Sequence, residues 1–198
     1  MKKVCKLFCL PLIATSIMGC RPFKAAYERA LNIIANFDLV NLNLFSGLTT
    51  EITCTRMENE GILFQNVPDL NASIDRELSF GVMTADYLGE IYVNANKGFS
   101  ISRYQDKGLQ ILLKSYYDYP IASSSSDSNG VSINYEDYRI ETNVSHTIFV
   151  LEDGRIEKTY STVNSTSKGT IMENGTLKSA DGYIEYDLEI IYNWFIKE

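Results

Sequence analysis

Few side chains in this sequence could carry out chemistry, and the single histidine is the first to consider. His146 shares the alternation of its apolar neighbours Val144 and Ile148. A catalytic histidine needs a nucleophile and an orienting acid close to it in space, and no nucleophile-elbow motif occurs in the chain. We therefore interpret His146 as a core or rim residue with a hydrogen-bond partner, and we predict that the protein is not an enzyme.

The thiol of Cys54 is a second candidate for reactivity. Cys54 shares one side of a predicted strand with Leu48 and Ile52. A thiol among apolar neighbours behaves as a small hydrophobic side chain and is unreactive. We therefore predict that Cys54 belongs to the core.

An acidic row near the C-terminus is the candidate metal site. Glu185, Asp187 and Glu189 alternate along the last predicted strand, so their side chains stand roughly 6.6 Å apart. Calcium is held by oxygens at about 2.3–2.6 Å, so these carboxylates could share an ion only by leaning together. We expect a solvated outer face or pairing with basic residues of a neighbouring strand. Metal and nucleotide-binding motifs are lacking after the first nineteen residues, and we predict no metal and no cofactor.

The N-terminus has the layout of a secretory signal. Lys2, Lys3 and Lys6 precede an apolar run from Leu7 to Met18. This run of 12 residues is shorter than the roughly 20 that a membrane-spanning helix needs. Residues 1–19 are therefore predicted to be a signal peptide.

The residues Ile17-Met18-Gly19-Cys20 resemble the lipobox of bacterial lipoproteins. The resemblance implies that Cys20 is acylated and becomes the mature N-terminus. Arg21 in the following position favours the outer membrane or the cell surface over the inner membrane. The alternative is an ordinary signal peptide that leaves Cys20 as a thiol, which could then form a disulfide with Cys54 in an oxidising compartment.

The charge of the chain restricts its partners. Removal of residues 1–19 takes away three lysines and no acidic residue, so the formal charge changes from −7 to −10. An acidic chain is not expected to bind nucleic acid. It is also repelled by anionic lipid, so attachment to a membrane must rest on the acyl chains of Cys20.

The hydropathy pattern predicts one helix followed by strands, all in a single domain over residues 20–198. Apolar residues recur at helical spacing over residues 22–38 and alternate in short segments over residues 48–196. About ten strands are predicted, and a sheet of that size tends to curl. The expected fold is mainly β: an antiparallel up-and-down meander that forms a barrel or a half-barrel, with one N-terminal α-helix.

Turn residues define how the last strands connect. Asp153-Gly154 and Asp181-Gly182 are hairpin signals. The long alternation that follows Asp181-Gly182 needs a partner of similar length. Residues 168–180 supply one if Asn174-Gly175 is a bulge inside a single strand, which we prefer to a hairpin turn at that position.

Three further segments carry specific expectations. The Ser-rich residues 119–130 are predicted to be a flexible loop, and Gly89–Val93 a short strand. The apolar alternation changes phase at Glu136-Asp137, so a bulge or corner is expected there.

The layout of an anchoring cysteine, one helix and a long meander is similar to half-barrel lipoproteins that carry or receive lipids and lipoproteins in bacterial envelopes. The similarity implies a non-enzymatic, membrane-anchored envelope lipoprotein that binds a hydrophobic small molecule in its curved sheet. The alternative is a structural or interaction lipoprotein with a filled core that binds a protein or host partner. The residues expected to line a ligand cavity are Phe64, Phe80, Tyr160, Tyr186 and Trp194.

Overall fold

The computed structural model describes residues 22–61, 64, 81–106, 108–128, 131–173 and 175–197, and for residues 120–128, 131–137 and 173 it describes the backbone alone. These residues form two α-helices, one 3-10 turn (Leu42–Leu44) and seven strands. The helices are α1 (Lys24–Ile34) and α2 (Ala85–Asn94). The strands are β1 (Phe45–Glu60), β2 (Gly98–Tyr104), β3 (Gly108–Ser128), β4 (Val131–Val150), β5 (Ile156–Glu173), β6 (Thr176–Ser179) and β7 (Gly182–Ile196).

All seven strands belong to one antiparallel sheet. Its order is β1-β7-β5-β4-β3-β2, with β6 beside β5, so β1 and β2 lie at its two edges and the sheet is open. The predicted mainly β class is confirmed, whereas a closed barrel of ten strands is wrong. The reason is strand length: β3 alone takes 21 residues and β4 takes 20, so the described residues make fewer, longer strands than the turn signals suggested.

The connection between β5 and β7 differs from the prediction. Glu173 pairs with Thr176 around Gly175, whose φ of +78° requires the left-handed region. The turn is therefore a hairpin, and the predicted bulge is wrong (Asn174 itself lies outside the described residues). β6 and β7 pair with the same edge of β5 and keep the same register along it. Asp181-Gly182 is therefore a break between two consecutive strands that run in the same direction, and the hairpin predicted there is wrong. β7 is matched in length by β5 on one side and β1 on the other.

The predicted flexible loop at 119–130 is wrong over its described residues. β3 continues to Ser128, and Ser124 pairs with Tyr135 of β4. Backbone hydrogen bonds of a hairpin do not depend on apolar side chains, so a run of serines can extend a ladder that the preceding residues have started.

The predicted strand at Gly89–Val93 is also wrong, because these residues lie in α2. The helix begins after Thr84, whose side chain accepts a hydrogen bond from the Tyr87 amide at 3.1 Å. Such a cap offsets one of the unpaired amides of a first helical turn. Tyr87, Leu88, Ile91 and Tyr92 then recur with the spacing of one helical face.

Two irregularities decide which residues face the core. The register of β4 and β5 shifts between Glu136 and Arg139, which confirms the predicted change of phase. The hairpin at Asp153-Gly154 is confirmed as well, and Gly154 has a φ of +83°. A second, unpredicted shift follows this hairpin, where Val150 pairs with Ile156. It moves every later side chain of β5 by one position.

The core lies between one face of the sheet and the two helices. α1 is confirmed within the predicted range 22–38, although its regular part is shorter, and Ala30 and Ile34 are its buried residues. Rings link the elements: Tyr27 of α1 stacks on Tyr92 of α2 at 4.1 Å and meets Phe99 of β2 edge-on. The sheet contributes a row of fully buried side chains, which includes Ile111, Ile148, Val150, Ile156 and Ile190. In the part of the chain described, neither helix has the length and hydropathy to cross a bilayer.

Candidate functional site

The four described residues among those predicted to line a ligand cavity do not come together around one. Tyr160 is 37% exposed and pairs with Glu189, on the face opposite Tyr186, because the register shift after Val150 reverses its direction. Tyr186 packs against the core, and Phe64 is buried beside Asn59. Phe80 lies outside the described residues.

Trp194, the remaining predicted lining residue, packs into the protein. Its ring meets Phe45 edge-on at 5.2 Å. A Cβ atom added to Gly81 would lie 2.7 Å from its Cζ2 atom, so the backbone of Gly81 closes directly on the indole. One side of Trp194 borders a surface cleft that Arg155 also lines. The ring thus fills space between β7 and its neighbours.

His146 is a buried residue with a hydrogen-bond partner, as expected. Its Nδ1 atom lies 2.6 Å from the Ser161 hydroxyl on the adjacent strand, and its side chain is 8% exposed. Desolvation lowers the pKa of His146 to about 4. A base with so low a pKa accepts protons poorly at neutral pH, and this weighs against general-base catalysis by the His146–Ser161 pair.

Cys54 and the acidic row lie at the β1 side of the sheet. The prediction of a buried Cys54 is wrong, because the thiol is exposed, as is every residue of β1 from Glu51 to Glu60. The acidic row pairs with neighbouring strands, as expected: Glu185 meets Arg56 at 2.7 Å and Glu189 meets Lys158 at 3.4 Å. Among the residues described, no cluster of three or more potential metal ligands occurs.

A cleft of about 340 Å³ separates α1 from β2 and the start of β3. Its apolar residues come from all three elements: Ile33, Ile101 and Leu109. Arg29 lies one helical turn before Ile33, and Arg103 shares one side of β2 with Ile101. The Nε–H of Arg103 donates to the Asp106 carbonyl oxygen at 2.8 Å. The cleft therefore combines an apolar lining with two guanidinium groups, one from each wall.

Sequence reasoning missed this cleft, although one signal pointed to it. Phe99, Ile101 and Arg103 alternate along β2, and Arg103 is exposed at the end of this row. An arginine that continues an apolar row is a candidate for binding an anion beside an apolar surface. Arg29 gave no comparable signal, because it lies outside the apolar stripe of α1.

An exposed apolar surface lies where β1 begins and β7 ends. Leu44 is 59% exposed and Ile196 is 72% exposed. The Lys197 amide donates to the Leu44 carbonyl oxygen at 2.9 Å, so the two segments are adjacent. We call the exposed apolar side chains of these two segments the apolar surface; its members are Leu42, Leu44, Phe195 and Ile196.

Comparisons with known proteins give no relative. No family model matches the chain. No curated protein and no solved structure matches it either.

Proposed function

We propose that this protein is a non-enzymatic lipoprotein of the bacterial cell envelope, anchored through acylated Cys20, which binds a protein partner through the apolar surface. The lipobox resemblance at residues 17–20 supports the anchor, and Arg21 supports the outer membrane or the cell surface. The choice between a hydrophobic ligand and a protein partner depends on how the sheet is covered.

The packing of the core favours the protein partner. Both helices lie on the face of the sheet where a carrier would hold its ligand, and they cover much of it; Leu88 of α2 and Met83, which precedes that helix, are fully buried. Of the predicted lining residues, Tyr160 and Tyr186 lie on opposite faces of the sheet. These observations therefore favour a protein partner that covers an exposed surface over a ligand enclosed by the sheet.

The apolar surface is the observation that carries the proposal. Large apolar side chains gathered on the surface of a soluble domain commonly mark an interaction site. Here they adjoin β1, which among the described strands pairs with β7 alone. An extended apolar segment of a partner fits this combination, because it can add to the strand edge and cover the leucines.

Photo-cross-linking tests the proposed interaction. A photoreactive amino acid at Leu44 or Ile196, introduced in the cells that make the protein, should give a discrete adduct with another protein. The matched control is the same amino acid at Thr166, an exposed position on β5. Adducts should also disappear when Leu42→Lys is added. Absence of a protein adduct, or the same adducts from Thr166, would contradict the proposal.

The anchor is tested separately. Cys20→Ser should release the protein from membranes, and an alkyne analogue of palmitate should label the wild-type chain and not the variant. Mass analysis should place acylated Cys20 at the mature N-terminus. Unchanged detergent partitioning of Cys20→Ser, or an unmodified N-terminus, would count against lipid anchoring.

A further inference from the structure

The cleft between α1 and β2 is distinguished by arginines that form no ion pair with the described residues. Five arginines lie in the described residues: Arg29, Arg56, Arg103, Arg139 and Arg155. Three of them form ion pairs, with Glu185, Asp118 and Asp153 among their partners. The two for which the described residues provide no carboxylate partner are Arg29 and Arg103. Both of these arginines line the cleft.

The electrostatics of the cleft favour an anion. Arg103 is oriented by a neutral backbone carbonyl, which leaves its positive charge uncompensated. Asp106 is the one acidic residue among the described lining residues, against two arginines. The chain as a whole is acidic, with a formal charge of −7, or −10 without residues 1–19, and is repelled by anionic lipid; two arginines without a carboxylate partner among the described residues reverse the sign of the charge at this one site. Guanidinium groups bind phosphate and carboxylate with paired hydrogen bonds.

The apolar lining indicates what is attached to the anion. Ile33, Ile101 and Leu109 line the same cleft as the two arginines, so a ligand that fills the cleft also covers apolar surface. At about 340 Å³ the cleft is near the lower end of the roughly 300–1,000 Å³ typical of small-molecule sites. It can accept a head group and the first part of an acyl chain.

The position of the cleft along the chain indicates the source of that ligand. Arg29 follows Cys20 by nine residues. With four residues at most fully extended and the rest in α1, the two Cα atoms are no more than about 22 Å apart. If Cys20 carries the acyl chains, the cleft is thus held close to the surface of the bilayer. This step rests on the proposed anchor.

We propose that the cleft binds the head group of an anionic phospholipid of the same membrane, with Arg29 and Arg103 on its phosphate and Ile33, Ile101 and Leu109 on the start of its acyl chains. Binding there fixes how the domain is oriented on the membrane. α1 then lies toward the bilayer, and the lipid anchor and the cleft act as two points of attachment.

Amide hydrogen exchange of the full chain in lipid nanodiscs tests this site. One disc contains phosphatidylcholine alone, and the other also contains phosphatidylglycerol. Exchange of the β2 amides should slow by about threefold or more in the second disc, as expected when most sites are occupied. The effect should vanish in the double variant Arg29→Gln/Arg103→Gln. It should persist in Arg56→Gln/Arg139→Gln, which removes the same charge from other strands.

The other outcomes overturn the proposal in distinguishable ways. Equal exchange in both discs, or slowing that persists in Arg29→Gln/Arg103→Gln, would refute the cleft as the lipid site. Slowing by added decanoate in phosphatidylcholine discs, without any effect of phosphatidylglycerol, would refute the membrane source and assign the cleft to a soluble fatty acid. A chain that does not co-elute with either disc would contradict the anchor instead. Unchanged exchange in β5, which contains none of the substituted arginines, shows that each variant is folded.

Discussion

Acid should destabilise this protein through His146, and the size of the effect follows from its burial. The pKa of His146 is lowered from 6.5 to about 4 by desolvation. Between pH 4 and pH 6.5 the imidazole of His146 therefore binds a proton in the unfolded chain and stays neutral in the folded chain. The folded state has its full stability relative to the unfolded state above pH 6.5 and loses part of it as the pH falls toward 4. Linkage gives a loss of about 2 kcal/mol at pH 5 and about 3 kcal/mol below pH 4.

Urea unfolding at pH 7.5 and pH 5 measures this loss. Other titrating groups also respond to pH, so the wild type is compared with His146→Gln, which cannot titrate. The free energy of unfolding should fall by about 2 kcal/mol more in the wild type than in the variant. The comparison uses the change between the two pH values, so a lower starting stability of the variant does not affect it. Equal falls in the two proteins would refute the argument that His146 is held neutral by burial.

Three further predictions concern stability. Thr159→Val should leave the urea midpoint unchanged or raise stability by about 1 kcal/mol, because the buried Thr159 hydroxyl has no hydrogen-bond partner in the described structure; a clear loss would reveal such a partner. Ile148→Ala should cost about 2–5 kcal/mol in the same assay, since Ile148 is fully buried, whereas exposed Ile196→Ala should change stability by less than about 0.5 kcal/mol. In thermal melts Gly61→Ala should destabilise the protein by at least about 1 kcal/mol more than Gly47→Ala does. Gly61 has a φ of +95° and an added Cβ would lie 2.6 Å from a carbonyl oxygen, whereas a Cβ added at Gly47 meets nothing within 4 Å. Equal melting temperatures of the two variants would contradict this.

Alternation of apolar residues predicted the strands well wherever one face packs against the core. In β7, the buried residues Ile184, Leu188 and Ile190 follow the expected period, and in β4 the change of phase near Glu136 is a bulge. Local patterns suffice in these segments because burial of one face dictates the direction of each side chain.

The incorrect predictions share a different cause. The serines of β3 form a strand through pairing with β4, and the Gly175 turn directs β6 and β7 back along β5. In both places the partner strand decides the structure, and a single segment carries little information about its partner. The α2 segment was short enough for helical and strand periods to be confused, although Thr84 was a usable capping signal.

The candidate site was the least predictable part. Arg29 and Arg103 belong to a helix and a strand far apart in the sequence, and they meet at one cleft because α1 packs against β2. No spacing rule connects such a pair. What the sequence does show is an arginine that continues the apolar row of β2, and the structure adds the second arginine and the apolar residues that line the same cleft.

The place of β7 in the sheet has a consequence for the order in which the chain can assemble. Among the described strands β7 is the last in the sequence, yet it lies between β5 and β1, and β1 is the first. Of these strands β7 alone pairs with β1, so β1 can join the sheet only once residues 182–196 are available, and pairings across such long separations form slowly. A premature stop before residue 182 would leave β1 without this neighbour, and the truncated chain should fold less well than the full one.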